Sequence, residues 1–214
     1  MSQLKRAPKK CGSWFWDLED IAPPGLESAL AVAAKMTAVL QKFDLLSPVK
    51  LEYSWSVLDS GFTGVMSTLF VFTPLDDPGL PGKVLGSRPA AFPEAEVDDL
   101  HVVGWGTWFD GGGKAHKEPR LVDLAVSTAP FGPTATLAVH HDIWSWFDFS
   151  GRPHPEVHRR NAPRLEAALR ELNSTLGVTP ELGDPTYFGG ATEWGIGTPD
   201  AFEDGMGADL TDKL

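Results

Sequence analysis

The stretch of sequence that decides the fold is residues 50–73, KLEYSWSVLDSGFTGVMSTLFVFT. Aromatic and β-branched side chains dominate its two halves, 50–59 and 65–73, and this composition favours β-strands. Residues 60–64 separate the halves and contain two glycines, which is typical of a hairpin turn. Apolar residues alternate with polar ones in the first half, at Leu51, Tyr53, Trp55 and Val57. The stretch therefore predicts a β-hairpin whose first strand buries one face.

Three further strands are predicted downstream of the hairpin. Residues 100–109, 120–127 and 134–142 are again rich in β-branched and aromatic side chains, and glycines at 111–113 separate the first two runs. Residues 74–99 contain five prolines, so we expect a long surface loop there. Together the runs predict a hairpin followed by a three-strand meander, which would form a mainly antiparallel sheet of about five strands.

Two helices accompany the predicted strands. Apolar residues recur at helical spacing over residues 26–43 and again over residues 153–177. Pro163 interrupts the second pattern, because proline removes a backbone donor from a helix interior. We therefore expect that helix to begin afresh there, with Asn161 as its N-cap.

The predicted elements describe a single α+β domain of two layers, in which both helices pack on one sheet. A length of 214 residues is ordinary for one domain. We expect an N-terminal arm at residues 1–24, the α+β domain at 25–180, and an irregular acidic tail at 181–214. The tail has eight acidic residues against one lysine, but it also contains Trp194 and Phe202, so we expect it to pack on the domain.

The charge balance excludes several classes of function. Eighteen Lys and Arg against 29 Asp and Glu give a net charge of -11, which repels nucleic acids and anionic membranes and attracts basic partners. The lone cysteine, Cys11, cannot form an internal disulfide, and acidic residues interrupt the region where a signal peptide needs an apolar run. The longest apolar stretch, residues 29–40, is too short to cross a bilayer. We therefore expect a cytoplasmic protein that binds neither nucleic acid nor membrane.

The glycine-rich segments do not match nucleotide-binding motifs. Residues 111–114, GGGK, precede Ala115, whereas a P-loop requires Ser or Thr after its lysine. Gly104 and Gly106 lack the third glycine of a dinucleotide-binding fingerprint. The sequence therefore predicts no cofactor.

Histidines cluster between residues 140 and 158 and define an enzymatic alternative. His140, His141 and Asp142 lie together at the end of the last predicted strand, and His154 and His158 have the spacing that places two side chains on one helix face. This segment matches neither the zinc protease nor the zinc deaminase motif, so no metal site is expected. The alternative is a hydrolase that uses His140 or His141 with Asp142, in combination with His154 or His158.

Cys11 bears on a second kind of catalysis. Residues 11–14, CGSW, are similar to the surroundings of the papain-type nucleophile, and His140 or His141 and then Asn161 follow at comparable offsets. The segment lacks the second cysteine that precedes the aromatic residue in that pattern. No helix start is predicted beside Cys11 to lower its pKa, so we expect a structural cysteine.

Tryptophan is frequent, with eight residues in the chain. Trp144, Trp146 and Phe147 closely follow the histidine pair, and large aromatic rings are both core fillers and favoured interface anchors. One interpretation is that these rings fill the interface between sheet and helix. The other is an exposed aromatic patch, surrounded by acidic side chains, that binds a protein partner. The predicted contact residues are Asp142, Trp144, Trp146, Phe147, Asp148 and Glu156.

The overall character of the chain is similar to that of a group of bacterial proteins. It combines a small acidic α+β domain with the segments 142–144 (DIW) and 161–165 (NAPRL) and a glycine-rich acidic tail that contains Trp194. In these features it resembles the immunity proteins that bacteria encode beside polymorphic toxins. The resemblance implies a cognate toxin as partner and no catalysis, and it assigns no site residue by position. An acidic surface with aromatic anchors suits a basic toxin, such as a nuclease. The alternatives are the hydrolase and a structural subunit of a larger assembly.

Overall fold

The computed structural model describes residues 4–128 and 130–214, so residues 1–3 of the expected N-terminal arm lie outside the described residues. Two single-turn 3₁₀ helices, Asp142–Trp144 and Thr211–Lys213, accompany the helices and strands. In chain order these are β1 (Gly12–Asp17), α1 (Leu26–Lys42), β2 (Ser47–Val57), β3 (Gly61–Phe70), α2 (Leu80–Leu85), β4 (Glu96–Phe109), β5 (Ala115–Pro119), β6 (Asp123–Ser127), β7 (Thr134–Val139), α3 (Pro155–Leu176), β8 (Glu181–Leu182), β9 (Ala191–Thr192) and β10 (Gly195–Ile196). The expected α+β class with a mainly antiparallel sheet is confirmed.

The main sheet has eight strands within the described residues, not about five. Its order is β3-β2-β4-β6-β7-β1-β8, and the pairs are antiparallel. The eighth strand, β5, pairs with residues 105–109 of β4, whereas β6 pairs with residues 99–102 of the same strand. The sequence pattern missed β1, β5 and β8. β8 has two residues, and β5 (AHKEP) is accessible along its length and lacks the apolar alternation that marks a half-buried strand.

The predicted hairpin is present as β2 and β3. The two strands pair from Lys50 with Phe70 to Val57 with Gly61. The register shifts between the pairs Ser54–Met66 and Ser56–Phe62, and the extra residues lie in β3. Gly64 lies in this bulge with a φ of 80°, a backbone conformation that glycine adopts without strain. The regular part of β3 is therefore its C-terminal half.

The alternation in β2 decides which face of the sheet is buried. Leu51, Tyr53 and Trp55 are fully buried, whereas Lys50 and Glu52 lie on the accessible face. The buried face continues across the neighbouring strands through Leu100, Val102, Leu124, Val126, Leu137, Trp14 and Trp16. This face carries the hydrophobic core of the domain.

Both predicted helices are present and contact the sheet. α1 contacts β2, β4, β6 and β7, and α3 contacts α1 and β4. A third helix, α2, forms inside the proline-rich stretch that was expected to be a loop, because Pro81 stands in its first turn, where a helix tolerates proline. The two-layer arrangement stays a prediction. No helix within the described residues is both long and apolar enough to span a membrane.

α3 runs without a break from Pro155 to Leu176, so the expected restart at Pro163 is wrong. Pro163 lies on the exposed side of the helix, where water can bind the carbonyl that loses its donor. Asn161 is buried inside the helix and is not its N-cap. Its side-chain amide donates to the carbonyl of Phe109 at 2.8 Å, and its oxygen accepts from the N–H of Phe109 at 2.9 Å. Asn161 therefore fastens α3 to the end of β4.

The expected N-terminal arm and C-terminal tail both contribute to the sheet. β1, from the arm, lies between β7 and β8, and β8 belongs to the tail. β9 and β10 form a separate two-stranded sheet. The indole N–H of Trp14 in β1 donates to the carbonyl of Thr192 in β9 at 2.8 Å, which holds this part of the tail against the domain.

Candidate functional site

The segment that connects β7 to α3 is held in place by its own acidic side chains. The Asp142 carboxylate accepts a hydrogen bond from the backbone N–H of Phe149 at 3.0 Å. The Asp148 carboxylate accepts from the backbone N–H groups of Ser150 and Arg152 at 2.8 and 3.0 Å. The two carboxylates therefore fix the conformation of the connecting segment itself.

The structure divides the predicted aromatic contact residues between core and surface. Trp144 is 1% exposed and Phe147 is 8% exposed, so neither ring offers a contact surface of useful size. Trp146 is 38% exposed, and Glu156 is exposed beside Arg159, with which it forms an ion pair. The interpretation that the rings fill the interface between sheet and helix describes Trp144, whereas Trp146 and Glu156 are available to a partner.

The neighbouring imidazoles His140 and His141 follow the last residue of β7 and have different surroundings. The Nε2 atom of His140 lies 3.3 Å from the Asp123 carboxylate, and its Nδ1 lies 3.2 Å from the carbonyl of Ala7. His141 is buried, with Nδ1 2.9 Å from the carbonyl of Lys5. Burial lowers the pKa of His141 to about 4, so its ring is neutral at pH 7.

The other two histidines lie at the start of α3. His154 Nε2 lies 2.8 Å from the carbonyl of Ser145, and the His158 ring packs edge to face on Trp146 with 5.7 Å between centroids. Asp142 and His154 line a common cavity of about 250 Å³, and burial raises the pKa of Asp142. Within residues 4–128 and 130–214, no three His, Cys, Asp or Glu side chains are grouped so that they could hold a metal ion.

Cys11 is completely buried. Burial raises the pKa of its thiol to about 12, and the negative charge of Asp142 adds to the effect. The thiol is therefore protonated at neutral pH, the opposite of what a nucleophilic cysteine requires. Its burial fits the structural role expected for it.

An apolar cavity lies where the connecting segment meets the C-terminal tail, and we call it the tail cavity. Its volume is about 480 Å³, and it is lined by Ser145, Phe147, Asp148, Phe149, Thr186, Tyr187, Phe188, Gly189, Gly190, Ala191, Thr192, Gly197, Thr198, Pro199, Ala208 and Leu210. Phe149 and Phe188 pack edge to face at 5.5 Å, and Tyr187 is 72% exposed. The exposed acids Asp200 and Asp209 directly follow two lining residues in the chain.

A groove beside the tail cavity contains Trp146, and we call it the Trp146 groove. Its lining includes Trp146, His158 and Trp194 of the tail, and its volume is about 580 Å³. The Arg170 guanidinium stacks 4.2 Å from the centre of the Trp194 ring. Thr192 lines both the groove and the tail cavity, so the two depressions adjoin at this residue.

Sequence reasoning missed a second exposed apolar surface, on β3. Phe62, Met66 and Phe70 are each more than half exposed, and Phe72 is almost completely exposed. The signal was present in the sequence. Apolar residues of the second hairpin half occupy both alternating sets of positions, whereas in the first half, apart from Leu58 at its end, they occupy one.

Comparison with known proteins assigns no family. No family model, no curated protein and no solved structure matches this chain. In structural terms the chain is an α+β protein with a mainly antiparallel sheet and an apolar cavity between a hydrogen-bonded connecting segment and an acidic tail.

Proposed function

We propose that this chain is a non-enzymatic binding protein, an immunity-type inhibitor of a basic toxin that acts in the bacterial cytoplasm. The observation that carries the proposal is the tail cavity. There the predicted contact segment and the predicted acidic tail, chosen independently from the sequence, line the same apolar depression. Inhibition of this kind requires a surface that occludes the active site of the toxin, and no catalytic group.

Charge supports the choice of a basic partner. The chain has a net charge of -11, and its last 34 residues have eight acids against one lysine. Such a field speeds the encounter with a positively charged protein and repels nucleic acids. Asp200 and Asp209 are exposed beside the cavity, where they can contact Lys or Arg side chains of the partner.

Apolar docking supplies the affinity that long-range attraction does not. Buried aromatic anchors in desolvated pockets dominate most protein interfaces. The tail cavity offers space for one large apolar side chain of the partner, and the exposed ring of Tyr187 lies at its edge. Trp146 and Glu156 extend the same surface along the Trp146 groove. The expected contact set therefore keeps these two residues and adds Tyr187.

Binding to the basic proteins encoded by the genes next to its own tests the proposal. We expect one of them to bind, and Tyr187→Ser to weaken binding by about tenfold or more. Phe131→Ser is the matched control, because Phe131 is 81% exposed and lines neither the tail cavity nor the Trp146 groove. Failure of every such protein to bind would refute the proposal, as would equal weakening by both variants.

The hydrolase remains a second candidate because of the cavity that Asp142 and His154 share. A partly desolvated carboxyl beside an imidazole is an arrangement that general acid–base catalysis uses. His140 and His141 contact other groups and take no part in this pair. Hydrolysis of chromogenic esters, phosphoesters or glycosides that Asp142→Asn and His154→Gln both abolish would favour the hydrolase over the inhibitor.

A further inference from the structure

β3 is the edge strand of the main sheet, and within the described part of the chain it pairs with β2 alone. The backbone N–H of Val71 donates to the carbonyl of Val49 at 2.9 Å, which fixes the direction of the alternating backbone groups. Because N–H and C=O groups alternate between the two sides of a strand, Met66, Thr68 and Phe70 direct theirs away from β2. These groups are free to pair with another strand.

Natural edge strands are usually protected from pairing by charged side chains, by proline or by bulges. β3 has no such charge, because residues 60–75 contain no Asp, Glu, Lys or Arg. Its bulge lies at Gly64 and leaves the C-terminal half regular. Met66 and Phe70 present exposed apolar side chains on this regular half. An unprotected apolar edge in a folded domain indicates an interface.

We propose that two copies of this chain pair through β3 as antiparallel strands, about a two-fold axis at Thr68. In this register Thr68 lies opposite Thr68 of the second copy, and Met66 lies opposite Phe70 of the second copy. These are the residues whose backbone groups face the free edge, so the pairing would add up to about six backbone hydrogen bonds. The exposed methionine and phenylalanine side chains would contact one another across the junction.

Charge argues for a second copy in preference to the basic partner of the proposed function. Two chains that each have a net charge of -11 repel one another, and they approach best where both surfaces are uncharged. Residues 60–75 are the uncharged part of the hairpin region, between Asp59 and Asp76. A basic toxin gains no electrostatic attraction from an uncharged strand. The two-fold axis also matches Met66 to Phe70 on both sides, as a symmetric dimer requires.

Disulfide cross-linking of Thr68→Cys tests the interface and its register together. Opposed residues in a hydrogen-bonded antiparallel pair have Cα atoms about 5.5 Å apart, which a disulfide can span. The native Cys11 is buried and does not compete. We expect mild oxidation to convert Thr68→Cys to a covalent dimer of twice the 23.2 kDa chain mass. Thr175→Cys, at an exposed position on α3, should form no disulfide-linked dimer. Absence of the covalent dimer, or equal cross-linking of both variants, would overturn the proposal.

Sedimentation velocity of the unmodified chain provides the second measurement. We expect a dimer at high micromolar concentration, and the double variant Met66→Lys/Phe70→Lys should raise the dimer dissociation constant at least tenfold. Both positions are exposed, so the variant should remain folded, and Phe131→Lys should dimerise like the wild type. A wild type that stays monomeric would contradict the proposal, as would a dimer insensitive to the β3 substitutions. A monomer whose β3 variant loses binding to a basic partner would assign β3 to that partner instead.

Discussion

The connecting segment between β7 and α3 and the edge strand β3 are both rich in aromatic residues, but the fold uses them in opposite ways. Trp144 is in the core, and the carboxylates near it bind backbone N–H groups of the same segment. Phe70 and Phe72 of the β3 region are more than half exposed. Aromatic content therefore does not distinguish core from surface. What distinguishes them is whether another element covers the ring.

The connecting segment is covered by another element and the edge strand β3 is not, and the reason is topological. The 3₁₀ turn Asp142–Trp144 contacts α3, because the chain turns back from the central strand β7 into that helix. β3 lies at the end of the sheet order, and its exposed side chains point away from the buried face. The predictions below test this contrast, beginning with the largest effect.

Removal of the covered ring should be the most damaging change. Trp144→Ala should lower the free energy of unfolding by about 3–5 kcal/mol, because it opens a large cavity in the core. Trp144→Phe should cost less, since the indole N–H has no hydrogen-bond partner within the described residues and its loss leaves no group unpaired. Trp146→Ala, on the half-exposed ring, should cost about 1 kcal/mol. Urea unfolding measures all three, and equal losses for Trp144→Ala and Trp146→Ala would refute the division between core and surface.

Loss of the hydrogen bonds between α3 and β4 should cause the next largest decrease in the free energy of unfolding. Asn161→Ala removes both hydrogen bonds to the Phe109 backbone and leaves a partly buried N–H and carbonyl unpaired. We expect a loss of roughly 2–4 kcal/mol in unfolding free energy. The exposed Gln41→Ala on α1 should change it by less than about 0.5 kcal/mol. If Asn161→Ala lowers the unfolding free energy by no more than Gln41→Ala does, apolar packing alone holds α3 in place.

The buried imidazole of His141 should make stability depend on pH. Its pKa is lowered from 6.5 to about 4 in the folded chain, so between these pH values the unfolded state binds more protons. Stability attributable to His141 is therefore present at pH 7 and lost as the pH falls through this range. Between pH 7 and 5 the wild type should lose roughly 1–2 kcal/mol more than His141→Gln. Parallel curves for the two proteins would contradict this account.

The smallest effect should come from the exposed strand region. Phe72 is 92% exposed, so Phe72→Ser should change the free energy of unfolding by less than about 0.5 kcal/mol. Unfolding should be measured at low protein concentration, where pairing of two copies does not contribute to stability. A loss of 2 kcal/mol or more, about that of a buried ring, would show that another part of the chain covers Phe72.

The sequence predicted the parts of the fold that depend on local pattern. The alternation at Leu51, Tyr53 and Trp55 located both the hairpin and its buried face. The pattern at β5 carried no such signal, because an accessible strand of five residues has no apolar periodicity. The continuous α3 depends on a tertiary contact, that of Asn161 with Phe109, 52 residues away in the chain. Local propensity cannot report such a contact.

For the candidate site, the sequence marked the segments that line the tail cavity but not which of their residues are exposed. The sequence singled out both the connecting segment and the tail, and the structure brings them together around one cavity. The two tryptophans in that segment differ in burial because Trp144 lies in the 3₁₀ turn that contacts α3, while Trp146 follows that turn. Tyr187 had no local pattern to mark it as exposed. Its position depends on how an irregular tail crosses the domain.

Hydrogen–deuterium exchange of the chain in complex with the basic partner tests the central claim most directly. The account predicts slower exchange at residues 145–149 and 186–210, which line or flank the tail cavity, and unchanged exchange in β4 and β6. Protection confined to the strands of the main sheet, with the tail exchanging as fast as in the free chain, would contradict it.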